Sequence, residues 1–353
     1  SSFRRGNWKG IAMTTKPTQI ALAGFGTWGQ MHARAIANID DAEIVSVFCH
    51  SERSEQAAAE HLPTAERFSD YHAMLKKGGF NVVDITVPNN VHAQYAIAAL
   101  ETGTHVFLEK PLGITIEQCD AVIAASQRST GLVALNHELR VSHQWRAVRE
   151  RIAAGDIGTV RYQHLSLYRH AFRQGSGGWR YDPARVGSWI LEELVHFFDL
   201  VTWYAAENGK PARVTAYGNG AKGDLTDNFA TVLEWDDGAV AVLSQCLSGF
   251  EHHTLLEIGG TDGGLRTWWS GALDRTLHPD FELKLKRGTA EVETIEIPKS
   301  GEVFELEENL RTAFAGFHEG RSILSPAEAR IAVEICLAAE ESFRRGQPIA
   351  LTP

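Results

Sequence analysis

A glycine-rich turn near the amino terminus is the feature that most constrains how this chain folds. The stretch QIALAGFGTWGQMHARAI moves from an apolar run through three glycines into a helix-like segment. Gly24, Gly26 and Gly29 have GxGxxG spacing directly after a predicted strand. The first glycine permits a tight turn, the second lets a pyrophosphate reach the backbone, and the third lets helix and strand pack closely. The sequence therefore predicts a dinucleotide site at the helix N-terminus. The residues predicted to form it are Gly24, Phe25, Gly26, Thr27, Trp28 and Gly29.

The segments after this turn alternate short β-branched runs with longer Ala-rich runs as far as about Asn136. IVSVF, VVDITV and HVFLE indicate buried strands, whereas the stretches between them have helical spacing. Such alternation predicts βαβ units and a parallel sheet. We therefore predict an α/β protein whose residues 17–136 form an NAD(P)-binding Rossmann domain.

The pattern changes after Gly158 to longer alternating strands joined by Gly-Asp or Asp-Gly turns. This pattern predicts a second domain over residues 137–353, built on a largely antiparallel sheet. A final helix is predicted with Ser325 as N-cap, Pro326 at its first position and Gly346 after its end.

The strands of the second sheet are rich in alternating apolar residues, so the second face of this sheet also needs a cover. We therefore expect a homo-oligomer, a dimer or tetramer, that packs through this sheet. The apolar residues concerned include Val232, Leu233, Trp235, Val240 and Val242.

The amino-acid composition limits which binding partners and which cellular compartment are expected. The chain has 353 residues, 44% of them hydrophobic, and a formal net charge of -10. Without a stripe of Lys and Arg it is not expected to bind nucleic acid, and no apolar stretch approaches the roughly 20 residues of a membrane span. Four scattered cysteines form neither a disulfide framework nor a CxxC site. Together these features predict a cytoplasmic protein with a small-molecule partner.

The first residues, SSFRRGNWKGIAMTTKP, contain paired arginines but no apolar segment of a secretory signal. We interpret them as an unstructured leader. Met13 is a candidate natural start.

The end of the second strand bears on the choice of dinucleotide. About twenty residues after the glycine turn, Rossmann domains that select NAD usually offer an acid to the ribose hydroxyls. Here Cys49 stands at that position, and His50, Ser51 and Arg53 supply donors suited to a 2′-phosphate. NADP is therefore favoured over NAD. NAD use stays open, because Arg53 could instead be a solvated residue at a helix start.

Two further strands end in polar residues at the carboxyl edge of the predicted sheet, where ligands bind in open α/β folds. One strand leads into VPNNVH and the other into Glu109-Lys110-Pro111. Lys110 caps an apolar strand and is restricted by the following proline, which favours a functional role over solubilising charge. The residues predicted at this edge are Pro88, Asn89, His92, Glu109 and Lys110.

The stretch VGSWILEELVHFFDLVTWY carries the other candidate catalytic group. Glu192, His196 and Asp199 recur at i, i+4 and i+7, which would place them on one face of an α-helix. A lone helical histidine is more often a core residue, but its combination with Lys110 and a nucleotide fold favours catalysis. No histidines show zinc-ligand spacing, so we predict no metal.

With these motifs the chain resembles the glucose-fructose oxidoreductase/inositol dehydrogenase/MocA (Gfo/Idh/MocA) family of NAD(P)-dependent oxidoreductases. The resemblance runs from about Thr18 to Leu351 and rests on AGFGTWG, VPNNVH, GTHVFLEKPL, AGDIGTV and the helix around His196. It implies a Rossmann domain, a second, substrate-binding α/β domain with a large, open, mainly antiparallel sheet, and hydride transfer involving a sugar, polyol or related carbonyl compound. The family's Glu-Lys-Pro motif falls on residues 109–111, and its catalytic histidine falls on His196.

The chain departs from the family pattern beside this histidine. Family members commonly have an Asp four residues before it and a Gly two residues before it, where this chain has Glu192 and Leu194. We predict that His196 is the acid/base, Lys110 its electrostatic partner and Glu192 a substrate anchor. The residues predicted to contact substrate are Lys110, Trp179, Arg180, Tyr181, Glu192 and His196, although loop packing would equally explain 179–181.

The function predicted from these features is NAD(P)-dependent dehydrogenation or reduction of a sugar, inositol or related polyol. Two alternatives stay open. One is reduction of a non-sugar ketone, imine or tetrapyrrole, and the other is a non-catalytic Rossmann protein that senses a nucleotide or sugar. Lys110 and His196 favour an enzyme, because a sensor would not need both groups at the reactive end of the cofactor.

Overall fold

The computed structural model describes residues 17–220 and 225–352, which form two sheets with packed helices. The predicted leader and Met13 lie outside the described residues. The strands are β1 Thr18–Ala23, β2 Ala42–Phe48, β3 Glu66–Phe68, β4 Val82–Ile85, β5 His105–Leu108, β6 Val133–Leu135, β7 Val160–Tyr168, β8 Arg213–Asn219, β9 Asn228–Glu234, β10 Val240–Cys246, β11 His252–Gly260, β12 Gly263–Gly271, β13 Asp280–Arg287, β14 Glu293–Thr294 and β15 Ile349–Ala350. The α-helices are α1 Thr27–Ile36, α2 Glu52–His61, α3 Tyr71–Lys77, α4 His92–Glu101, α5 Ile116–Arg128, α6 His143–Ala153, α7 Pro183–Val186, α8 Val195–Tyr204, α9 Glu302–His318 and α10 Pro326–Arg345.

The first sheet has six strands in the order β3-β2-β1-β4-β5-β6, and every strand pair is parallel. This is the strand order of dinucleotide-binding folds, in which the order reverses beside β1 and opens a crevice at the carboxyl ends. The predicted Rossmann fold with a parallel sheet is confirmed. The strands are short and largely apolar because helices cover both faces of the sheet.

Helix α9 comes late in the sequence but packs on the first sheet. Its side chains Leu310, Phe314 and Phe317 join a buried cluster that contains Leu22 of β1 and Phe107 of β5. This helix was not predicted from the sequence. The predicted domain boundary after residue 136 therefore assigns α9 to the second domain, although this helix buries one face of the first sheet.

The second sheet has nine strands in the order β14-β13-β12-β11-β7-β10-β9-β8-β15. Within this second sheet, β7–β10 is the only parallel pair among the described strands, so the predicted large, mainly antiparallel sheet is confirmed. Helices α8 and α10 pack against one face. The caps predicted for α10 are also confirmed, because Ser325 accepts from the Glu328 N–H and Gly346 is left-handed.

The two halves of the chain enclose a cavity of about 1080 Å³ at the carboxyl edge of the parallel sheet. The glycine turn and the ends of β2, β4 and β5 line one side of this cavity. The other side comes from loops after β7 and β12 and from the start of α8. None of the helices in the described part of the chain is long and apolar enough to cross a membrane.

Candidate active site

The glycine turn has the geometry that an anion needs at a helix N-terminus. Gly24 has φ +105°, and an added Cβ there would lie 3.1 Å from Thr86 Oγ1. A Cβ on Gly29 would lie 2.2 Å from the Gly24 oxygen, so only glycine permits this approach of helix and strand. Gly26 is the N-cap of α1 and no side chain caps the helix, which leaves its first N–H groups available to a phosphate. Residues 24–28 line the cavity.

The segment after β2 supplies the residues predicted to choose between NAD and NADP. His50, Ser51 and Arg53 are exposed and line the cavity. Ser51 also caps α2, because its hydroxyl accepts from the Ser54 N–H in a capping box. Position 49 is a cysteine, so no carboxylate stands there, and its side chain is buried.

Glu109 belongs to a buried polar network beneath the cavity wall. His32 bridges two carboxyl groups, with Nδ1 2.9 Å from Asp84 and Nε2 2.8 Å from Glu109. Asn136 also donates to Glu109 and in turn accepts from Asn309 of α9. Burial raises the pKa of Glu109, but His32 and other donors outweigh burial and lower it to about 2. These hydrogen bonds therefore fix the position of Glu109, which directly precedes Lys110 in the chain.

Lys110 meets Glu192 across the two halves of the chain. Its Nζ donates to the Glu192 backbone oxygen at 2.6 Å and lies 3.9 Å from Oε1. The Glu192 carboxylate accepts from Arg180 Nε at 2.8 Å and from Asn89 Nδ2 at 2.9 Å. Burial raises the pKa of Glu192, but the charges of Lys110 and Arg180 outweigh burial and lower it. Each carboxylate oxygen thus accepts a hydrogen bond from one protein donor.

The segment that holds Glu192 is not a continuous α-helix. Residues Ile190–Leu194 form a π-helical turn, and α8 begins only at Val195. The interpretation that Glu192, His196 and Asp199 share one α-helical face was therefore wrong. In a π-helical turn the backbone hydrogen bonds run from i to i+5 instead of i to i+4, which shifts Glu192 relative to α8, and the Glu192 oxygen in this turn also accepts from Lys110.

Asp199 has a structural partner outside this segment. Both of its oxygens accept from the Arg140 guanidinium, at 2.7 and 2.8 Å.

The His196 imidazole lines the cavity and is nearly buried. Its Nε2 lies 3.7 Å from Glu138 Oε1, and its ring meets the His137 ring edge to face at 5.4 Å. Burial, helped by the positive charge of Lys110, lowers the pKa of His196 well below its ordinary value. The imidazole is therefore neutral at physiological pH and able to accept a proton.

Of the other predicted site residues, some line the cavity and others contact only the protein around it. Trp179 and Pro88 line the cavity, and the Arg180 guanidinium stacks over the Trp179 ring at 4.9 Å. The Tyr181 hydroxyl donates to the Phe172 oxygen, and this tyrosine does not line the cavity. His92 also lines it, but both ring nitrogens face backbone oxygens, of Pro111 at 2.7 Å and of Val87 at 2.8 Å.

Several charged residues of the cavity were missed by sequence reasoning. Arg169 pairs with Glu193 at 2.9 Å and Asp274 at 3.1 Å, and Arg275 stacks on the Trp28 ring at 4.7 Å. The sequence contained only a weak indication of these residues, since Arg169 and Arg275 simply follow strands of alternating pattern. Additional cavity residues that were missed are Glu138, Arg173 and Glu302. Within residues 17–220 and 225–352, no group of three or more His, Cys, Asp and Glu residues is arranged to hold a metal ion.

The strand order, the glycine turn and the uncapped start of α1 define a dinucleotide-binding Rossmann protein with a second, sheet-based domain. A family model described as "Oxidoreductase family, NAD-binding Rossmann fold" matches residues 18–137. A second, described as "GFO/IDH/MocA C-terminal domain", matches residues 145–266. Together these matches span more than half of the chain. The chain belongs to the GFO/IDH/MocA family of oxidoreductases, and the resemblance noted in the sequence is confirmed.

Named relatives agree with this assignment. The chain is 28% identical over 248 residues to inositol 2-dehydrogenase of Salmonella typhimurium, covering 67% of this chain and 70% of the relative. It is 27% identical over 262 residues to D-apiose dehydrogenase of Paraburkholderia graminis, covering 72% and 68%. Myo-inositol 2-dehydrogenase from Lactobacillus plantarum shares the fold, with a TM-score of 0.79, 20% identity and coverage of 96% and 100%. Levoglucosan dehydrogenase, solved with NADH and levoglucosan, has a TM-score of 0.82, 20% identity and coverage of 95% and 99%.

Proposed function

We propose that the protein transfers a hydride between a nicotinamide dinucleotide and a sugar, inositol or related polyol or carbonyl compound. The supporting observation is that Lys110 and a neutral His196 line the same cavity as the glycine turn. The printed names of the relatives, which include inositol, apiose and anhydrofructose enzymes, support a polyhydroxylated substrate.

The chemistry follows from what oxidation of a secondary alcohol requires. A nicotinamide dinucleotide held at the glycine turn would supply the hydride acceptor, and the protein must remove the hydroxyl proton. His196 would accept that proton, because its imidazole is neutral and faces the cavity. The Lys110 ammonium would stabilise negative charge on the same oxygen. Glu192 would hold Lys110 in place through its backbone oxygen.

A panel of sugars, inositols and sugar acids, assayed with NAD and with NADP, tests this function. Nicotinamide absorbance should change with at least one polyol or its ketone. Absence of any change across the panel, with cofactor binding retained, would contradict the proposal.

We propose NADP as the preferred cofactor, because Arg53 lines the cavity and Cys49 replaces an acid. Arg53→Ala should weaken NADP binding by about tenfold and NAD binding much less, since a guanidinium–phosphate contact is a charge-assisted hydrogen bond. Fluorescence titration with each dinucleotide measures the effect. Arg128→Ala, an exposed arginine at the end of α5, is the matched control. Equal losses for both cofactors would show that Arg53 does not read the 2′-phosphate.

We propose a homo-oligomer that packs through the outer face of the second sheet. Tyr162 and Tyr168 on this face are 48% and 52% exposed, and Val242 lies beside them, paired with His164. Burying this apolar face would stabilise an assembly. Light scattering at micromolar concentration should give a dimer or tetramer mass, and Val242→Glu should lower it. A monomer mass for the unaltered protein would contradict the proposal.

We also propose a cytoplasmic location. The four cysteines are free in the structure, and three of them are buried. Reduced, buried thiols suit a reducing compartment. Fractionation of cells that produce the protein should find it with cytoplasmic markers, and recovery in a secreted fraction would contradict this location.

A further inference from the structure

Glu138 is a buried carboxyl group in the cavity to which the mechanism above gives no role. It begins a 3₁₀ turn, Glu138–Arg140, shortly after β6 and therefore at the same sheet edge as Lys110. The residue lines the cavity and is only 8% exposed. Its Oε1 lies 3.7 Å from His196 Nε2, and its Oε2 is buried with no hydrogen-bond partner among the described residues.

One oxygen of this carboxyl group, Oε2, lacks the protein donors that the neighbouring acidic groups have. Glu109 accepts from Asn136, and Glu192 accepts from Arg180 and Asn89. A buried carboxyl oxygen without a donor is costly and rare, so its retention needs an explanation. A ligand that supplies the missing hydrogen bond provides one.

The protonation state of Glu138 suits a neutral, polar ligand. Burial, together with the nearby Glu109 charge, raises the pKa of Glu138 well above its ordinary value, although a hydrogen bond from its own backbone N–H and the charge of Lys110 partly oppose this. In the protonated form, which this shift favours, the group has one O–H donor and free acceptor capacity. A hydroxyl group can satisfy both functions at once.

The position of Glu138 beside His196 indicates which hydroxyl it meets. The 3.7 Å between Oε1 and Nε2 is too long for a hydrogen bond between the two side chains. Two groups this close that face one cavity can instead each contact one of two neighbouring oxygens. Each oxygen of Glu192, by contrast, already accepts a hydrogen bond from a protein donor, so Glu192 has no unpartnered oxygen of this kind.

We infer that Glu138 binds the hydroxyl on the carbon next to the oxidised one, while His196 takes the proton of the reacting hydroxyl. The substrate class is then a vicinal diol, and the product is an α-hydroxyketone. This inference rests on the proposed function for the identity of the reacting group.

The test compares two probes that differ by this one hydroxyl. Binding of cis-1,2-cyclohexanediol and of cyclohexanol to the NADH-loaded and NADPH-loaded protein is measured by nicotinamide fluorescence, independently of turnover. The unaltered protein should prefer the diol by up to about tenfold, the worth of one hydrogen bond. Glu138→Leu should reduce this preference to less than about twofold. Glu138→Gln keeps a donor and an acceptor and should retain most of it.

Controls separate binding from folding. Glu138→Leu should fold at least as well as the unaltered protein, because a buried group without a partner is replaced by an apolar side chain of similar size. Glu101→Leu, at an exposed glutamate ending α4, is the matched control and should keep the preference for the diol.

The outcomes distinguish this inference from the proposed function. Equal affinity of the unaltered protein for the two probes, or an unchanged preference in Glu138→Leu, would overturn the role of Glu138 even if polyols are oxidised. A preference that depends on Glu138 without nicotinamide reduction by any polyol would support its binding role and contradict the proposed oxidation.

Discussion

Replacing His196 with alanine should lower turnover of the polyol substrate by about a hundredfold or more, the usual effect of removing a general acid or base. Lys110→Ala should have an effect of similar size, because it removes the positive charge next to the reacting oxygen. Cofactor affinity should change little in His196→Ala, since His196 lies on α8 and is not part of the glycine turn that would hold the dinucleotide. Stopped-flow or steady-state absorbance, with fluorescence titration of the dinucleotide, measures both quantities.

Exposed residues of the same types provide the controls. His72→Ala and Lys77→Ala lie on α3, outside the cavity, and should leave turnover unchanged. Near-normal turnover in His196→Ala would assign the proton transfer to another group. Near-normal turnover in both site variants would place the chemistry elsewhere.

The lowered pKa of His196 also predicts the pH dependence of oxidation. Protonation removes the base, and burial delays protonation to a pH well below 6.5. The acid limb of kcat/KM should therefore begin below that pH, whereas an exposed histidine would already lose activity there. An acid limb centred near 6.5 would indicate a solvated base.

The broad architecture could be predicted from the sequence because it depends on local patterns. Alternating apolar runs indicated the parallel sheet, and Ser325, Pro326 and Gly346 marked the ends of α10. The glycine turn was also readable, since its spacing reflects backbone contacts within a few residues.

Features that depend on distant parts of the chain could not be predicted in this way. The apolar spacing of Leu306, Leu310 and Phe314 could have indicated α9, but not that it covers the first sheet. The π-helical turn involves a contact between Lys110 and the Glu192 oxygen, 82 residues apart. The missing partner of Glu138 likewise becomes visible only once every neighbouring donor has been placed.

The second large effect is expected at His32, which the sequence analysis did not single out. The imidazole is fully buried and contacts Asp84 and Glu109 at 2.9 and 2.8 Å. Burial lowers the pKa of His32, but the Asp84 and Glu109 carboxyl groups overcome burial and raise it to about 10. His32 is therefore a buried cation that compensates the acidic groups beneath the Lys110 strand end.

His32→Leu should lower the free energy of unfolding by about 3–5 kcal/mol, the cost of removing one partner from a buried ionic group. That loss is a large share of the roughly 5–15 kcal/mol that stabilises a typical protein. Urea unfolding measures the change, and His61→Leu on the exposed end of α2 is the control. A loss below about 1 kcal/mol would show that His32 does not compensate the two carboxyl groups.

The pH dependence of unfolding gives an independent check on the charge of His32. Its pKa is about 10 in the folded protein and near 6.5 when unfolded, so the folded state binds the extra proton between these values. The stabilisation from this charge is complete below pH 6.5 and disappears as the pH rises through about 10. Within that window His32 alone should lower the free energy of unfolding by up to about 1.4 kcal/mol per pH unit. His32→Leu should lack this slope, whereas an identical slope in the variant would assign it to other groups.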